Sequence, residues 1–84
     1  MISDHKMRQL QQEAAEAGDD MQWLVCERAL NEDFDYEDYS GGGHQLNSSQ
    51  EKLIRKMTQD EARLMCEATI DTGRRHVGDR HGRD

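Results

Sequence analysis

Long apolar runs are missing from this chain, and no stretch approaches the roughly 18 consecutive apolar residues that a membrane-spanning helix needs. No basic segment leading into an apolar one, the mark of a secretory signal, precedes the first helical pattern. We therefore expect a soluble, cytoplasmic protein with no membrane partner. Cysteine is scarce as well: there are two, far apart and with no CxxC, which excludes a disulfide framework and predicts reduced, buried thiols acting as small hydrophobes. GxSxG, P-loop, GxGxxG and HExxH patterns are all absent. Cys26 and Cys66 with two of His5, His44, His76 and His81 could in principle ligate zinc, since thiolate and imidazole are its usual ligands. Both cysteines sit inside apolar helical patterns, however, and no paired ligand spacing occurs. A Cys-His nucleophile lacks an identifiable orienting group or oxyanion donor. The expectation is no metal site, no cofactor and no enzymatic activity. Apolar residues are few overall, 33% with a mean hydropathy of −1.12, so 84 residues make one small domain with a marginal core. A chain this polar either carries long solvated segments or buries a surface in a partner.

The most specific feature present is an internal repeat. LVCERAL at 24–30 and LMCEATI at 64–70 lie forty residues apart, each with an aspartate four residues earlier, Asp20 and Asp60. Matched packing positions on two similarly built helices explain this better than shared chemistry does. The helices carrying Cys26 and Cys66 are expected to pack together, and replacing either cysteine by serine to cost about 1–3 kcal/mol through a poorly paired buried hydroxyl.

Local signals divide the chain further. Ser3 and Asp4 can start a first helix in which Met7, Leu10, Ala14 and Ala17 recur at three- and four-residue steps, and Gly18 is placed to end it. Asp19 caps a second helix with Gln22 at the third position, giving an N-terminal αα-hairpin. That second helix is apolar on nearly every side. Trp23, which can remove on the order of 200 Å² from water, is expected in the core, with a partner anchor as the alternative. Residues 31–49 read as a long acidic loop with a flexible Gly41-Gly42-Gly43 middle. Ser48 with Glu51, and Thr58 with Glu61, are two further capping signals, which predict either one kinked helix or two helices meeting near Thr58. Gly73 is placed to stop the last helix, leaving 74–84 as a mobile tail. The predicted fold is thus all-α: a bundle of three to four helices over 1–73, with the acidic loop at 31–49 and a flexible tail.

Charge is unevenly spread. Residues 1–47 hold 11 acids against 3 bases, whereas residues 48–84 hold 7 against 8. An acidic front half disfavours a phosphate backbone as the main ligand and favours a basic partner. The best candidate site is Glu32-Asp33-Phe34-Asp35-Tyr36-Glu37-Asp38-Tyr39, in which carboxylates and aromatics alternate. It could imitate the charge spacing of a nucleic acid, with Phe34, Tyr36 and Tyr39 as apolar anchors in a basic groove. Equally, it could be a solvated loop whose aromatics fold back onto the core. The tail arginines Arg74, Arg75, Arg80 and Arg83 read as a soluble frayed end, with direct nucleic-acid binding as the alternative.

Residues 13–30, EAAEAGDDMQWLVCERAL, resemble a pattern in small helical proteins of phages and prophages: an A-x-A-G-D turn, an L-C-x-x-A-L helix and a later Cys-containing helix. Ala15-Glu16-Ala17-Gly18-Asp19, Val25 through Leu30 and Cys66 through Ile70 carry the resemblance, roughly 30 of the 84 residues. The acidic loop and the basic tail depart from it. The resemblance implies an accessory protein in a host cytoplasm that binds a host protein, of which an anti-CRISPR-like inhibitor of a nucleic-acid-binding defence complex is one kind. The competing class is a structural or regulatory helical homo-oligomer. A homodimer is expected through the second helix or the segment 53–70, because symmetric pairing is the commonest way to bury leftover apolar surface.

Overall fold

The computed structural model describes residues 3–40 and 45–83, with side chains described as far as residue 71. Ser3 opens helix α1 (Asp4–Ala17): its hydroxyl accepts the Lys6 N–H at 3.2 Å, and Asp4 places a negative charge in the first turn, where the helix dipole favours it. Gly18 closes α1 in the left-handed conformation, φ 72°, which only glycine adopts without strain. The next amide, Asp19 N–H, returns to the Ala14 carbonyl at 2.8 Å. Helix α2 (Asp20–Leu30) follows at once, with Asp19 Oδ1 accepting the Gln22 N–H at 3.1 Å. The expected αα-hairpin, Gly18 stop and Asp19 cap are all present.

A single turn, α3 (Glu37–Ser40), interrupts what the sequence reads as continuous loop. The glycine triplet and His44 lie outside the described residues. Helix α4 (Ser48–Lys56) is capped by Asn47, one residue before the expected Ser48: Asn47 Oδ1 accepts the Gln50 N–H at 2.8 Å, and Gln50 Oε1 accepts the Asn47 N–H at 3.1 Å. Asn47-x-x-Gln50 satisfies the same reciprocal geometry as Ser48-x-x-Glu51, so the two frames compete within one residue of each other. Thr58 starts α5 (Gln59–Arg83) as expected, exchanging hydrogen bonds with Glu61 at 2.8 and 3.1 Å, so two helices rather than one kinked helix meet there. The stop expected at Gly73 is not observed, for α5 runs on to Arg83. Glycine inside a helix costs about 1 kcal/mol but does not forbid it, and with no proline in the chain nothing compels a break. The expectation of a mobile tail concerns residues whose side chains lie outside the described set.

Helix α2 occupies the centre. It packs along α1 on one side and α5 on the other, with a lighter contact to α4. Its Leu24, Val25, Cys26 and Ala29 are buried and cluster with Met7 of α1, Ile54 and Met57 around the end of α4, and Ala62 and Cys66 of α5. Burial of this kind is worth roughly 1.5–3 kcal/mol per large aliphatic side chain, and α2 supplies more of the buried residues than any other helix. The helices bearing Cys26 and Cys66 do pack together, with Sγ 3.7 Å from Sγ. Trp23 is half-buried and packed against this core.

Candidate functional site

Immediately after α2 the chain is turned by its own side chains. Asn31 Oδ1 accepts the Asp33 N–H at 3.0 Å and Asp35 Oδ1 accepts the Glu37 N–H at 3.1 Å, two Asx-type turns that this Asn/Asp-rich sequence supplies locally. Arg28 fastens the start of the segment to the end of α4, with Nε donating to the Met57 carbonyl and a terminal nitrogen to the Asn31 carbonyl, each at 3.0 Å. The segment 32–39 is therefore held to the helical body at its root.

The three aromatics face inward. Tyr36 is buried, and the Arg55 guanidinium lies 4.9 Å from its ring centroid. Arg55 also pairs with Glu37 and Glu51, so it clasps α3 to α4. Phe34 stacks on Tyr39 with centroids 5.1 Å apart, and Trp23 meets Tyr39 edge-on at 6.0 Å. Arg28 covers Phe34 at 5.8 Å. Of the two readings that the sequence leaves open for these rings, the fold-back onto the core is what the structure contains. Tyr36 makes no exposed anchor, whereas Phe34 and Tyr39 stay half-exposed.

Beneath Tyr39 lies a polar knot that sequence reasoning missed. Tyr39 Oη donates to Glu27 Oε2 at 2.9 Å, while Gln11 Nε2 donates to Glu27 Oε1 at 3.0 Å and to the Trp23 carbonyl at 3.3 Å. Arg8 donates to Gln11 Oε1 at 2.8 Å and stands 3.6 Å from Glu27. The knot joins α1, α2 and α3, satisfying a buried glutamine that would otherwise be costly. One signal could have revealed it: Gln11 falls on the helical stripe of Met7 and Ala14, where an apolar residue belongs. Burial raises the Tyr39 hydroxyl above its ordinary range, and acceptance by Glu27 raises it further. Tyr36 is raised likewise, by burial first and then by the nearby Glu51.

The carboxylates face outward. Glu32, Asp33, Asp35, Glu37 and Asp38 are all exposed. Among the described residues Glu37 is paired with Arg55, and Asp35 holds the Glu37 amide. Glu32, Asp33 and Asp38 have no ion-pair partner there. Beside them a cleft of about 210 Å³ opens between Arg28, Phe34, Asp35, Tyr36 and Arg55. Its two guanidiniums are already committed to ring faces, backbone carbonyls and carboxylates.

Among the described residues no group of three or more His, Cys, Asp or Glu side chains is gathered as a metal would need, and no helix is long and apolar enough to cross a membrane. His5 is exposed; the side chains of His44, His76 and His81, like those of the tail arginines, lie outside the described residues. Comparison with known proteins finds no matching family model, no similar curated protein and no similar solved structure.

Proposed function

We propose that this chain is a non-enzymatic accessory protein of the phage type, which binds a host protein through the acidic segment 32–39 and blocks a basic, nucleic-acid-binding surface of a defence complex. The observation that carries this reading is the division of labour within the segment. Its rings and Asx turns hold the backbone against the helices, while Glu32, Asp33, Asp35 and Asp38 project outward with Glu37 beside them. A charge array fixed before binding loses less entropy on association than a mobile loop does, and its field speeds the encounter with a cationic groove. In this arrangement the half-exposed edges of Phe34 and Tyr39 flank the acids, and Tyr36 supports them from below.

The test is affinity capture from a bacterial lysate with the wild-type chain and with a variant carrying all five acids as Asn or Gln. Proteins retained by the wild type should be displaced by duplex DNA and by salt, and should be lost with the variant while its helical circular dichroism stays unchanged. Equal capture by the variant in moderate salt would overturn the reading.

A second reading, a structural or regulatory homo-oligomer, draws on the exposed Leu53, Leu64 and Met65. Because α2 is covered on both sides, the segment 53–70 is the surface such pairing would use. A monomeric mass by light scattering at high micromolar concentration would reject it.

A further inference from the structure

Both thiols of this chain are fully buried, yet they are not in an inert setting. Cys66 Sγ donates toward Cys26 Sγ across the seam between α2 and α5 at 3.7 Å, and the Gln22 side-chain amide donates to Cys26 Sγ at 3.5 Å. A cysteine serving only as a small hydrophobe needs no donors. Two donors aimed at one sulfur favour its thiolate, and the same contact, with burial behind it, disfavours that of Cys66. The pair is thus polarised: Cys26 is the nucleophile and Cys66 its neighbour with the proton.

Access is set by Gln22 and Thr69. Gln22 is half-buried on α2, and its Oε1 meets the exposed Thr69 hydroxyl of α5 at 3.5 Å. That hydroxyl already donates to the Met65 carbonyl at 2.8 Å, so its one proton does not hold the Gln22 amide shut. Reaching Cys26 requires this one amide to move, and the smallest reagents require the least movement.

We propose that Cys26 and Cys66 form a reversible oxidation site for a small peroxide, which ties α2 to α5 through an intramolecular disulfide. The Cys26 thiolate attacks one oxygen of hydrogen peroxide, the O–O bond breaks, and hydroxide departs and takes up the thiol proton as water. Cys26 is left as a sulfenic acid. The Cys66 sulfur then attacks the Cys26 sulfur, the S–O bond breaks, and the displaced hydroxide leaves with the Cys66 proton as a second water. Together the sulfurs lose two electrons and the peroxide oxygens gain them; a dithiol reductant reverses the change. The sulfurs need only close from 3.7 Å to the ~2.05 Å of a disulfide, a side-chain rotation and a small approach of two helices already in contact. The consequence is covalent locking of the central helix to α5 by two residues forty positions apart, independently of what the acidic segment binds.

The experiment treats the native full-length chain with hydrogen peroxide and maps peptides, with oxidation of the exposed Met65 reporting that peroxide was effective. We expect a Cys26–Cys66 linked peptide in a monomeric product, loss of both alkylatable thiols after denaturation, and a melting midpoint raised by on the order of 10 °C that dithiothreitol reverses. A sulfenate-trapping dione added during the reaction should label Cys26 in the wild type, and more strongly in Cys66→Ala. Cys66 in Cys26→Ala should be labelled at least tenfold less. The wild-type label keeps the assignment testable if either variant fails to fold. Thiols left unmodified while Met65 is oxidised, disulfides chiefly between molecules, or a label chiefly on Cys66 would each overturn the proposal.

Discussion

The two Cys-Glu helices share one seven-residue pattern and end in different surroundings. In α2, Leu24 is 0% and Val25 2% exposed; at the matching places in α5, Leu64 is 65% and Met65 40% exposed. Cys26 and Cys66 keep the same environment, both fully buried against each other. Ala29 is buried whereas its counterpart Thr69 is exposed. The difference comes from chain order. α2 enters the bundle between α1 and α5, so two of its faces are covered, whereas α5 packs mainly on α2 and presents the rest to water. A repeat in sequence therefore marks a shared contact line and says little about the rest of each helix.

That comparison is broken most directly at its leucines. Leu24→Ala should cost about 3–5 kcal/mol, by lost transfer energy and a cavity in a centre that cannot collapse easily, whereas Leu64→Ala should stay within about 0.5 kcal/mol. Denaturant melts of the two variants measure this, and equal losses would mean that Leu64 is covered in solution, by a second copy or otherwise.

A smaller effect sharpens the contrast on the α2 side, where Glu27 is roofed by Gln11 and Tyr39. Tyr39→Phe should cost about 1–2 kcal/mol at neutral pH by leaving a partly buried carboxylate short of one donor. The raised tyrosines also give a pH signature. Burial holds Tyr36 and Tyr39 above their usual value of 10.0, so their contribution is fully present below pH 10 and is lost as pH rises beyond it through the folded values, because the unfolded chain gives up those protons first. Melting midpoints followed from pH 9 to 11 should fall, and should fall less in Tyr36→Phe or Tyr39→Phe than in the parent.

The smallest expected effect is one in which the two helices should agree. Asp19→Ala and Thr58→Ala each remove a side-chain cap from the first turn of one copy, and each should cost about 1 kcal/mol. A cap acts on its own helix end and is indifferent to which faces are buried later. Widely different values in thermal melts would show that the entry to α2 or α5 is fixed by packing instead.

What was legible in the sequence follows the same division. Gly18, Asp19 and the Thr58–Glu61 box are satisfied within a few residues, so their signals survive whatever the rest of the chain does. Asn47 in place of Ser48, and the continuation of α5 through Gly73, are misreadings among local options of nearly equal energy. The inward turn of Tyr36 and the exposure of Leu64 and Met65 depend on partners far along the chain, which no local pattern encodes. At the candidate site the acids were legible as charge, while their support by Arg28, Arg55 and the Gln11–Glu27–Tyr39 knot was not, because it joins residues 12 to 29 positions apart.

The central position of α2 also imposes an order on biosynthesis. The α1–α2 hairpin is local and can form as soon as it leaves the ribosome, but the face carrying Cys26 waits for α5, which is translated some forty codons later. During that interval Cys26 and the face around it stay uncovered on an otherwise strongly acidic nascent chain, whose mutual repulsion keeps neighbouring copies apart until α5 arrives.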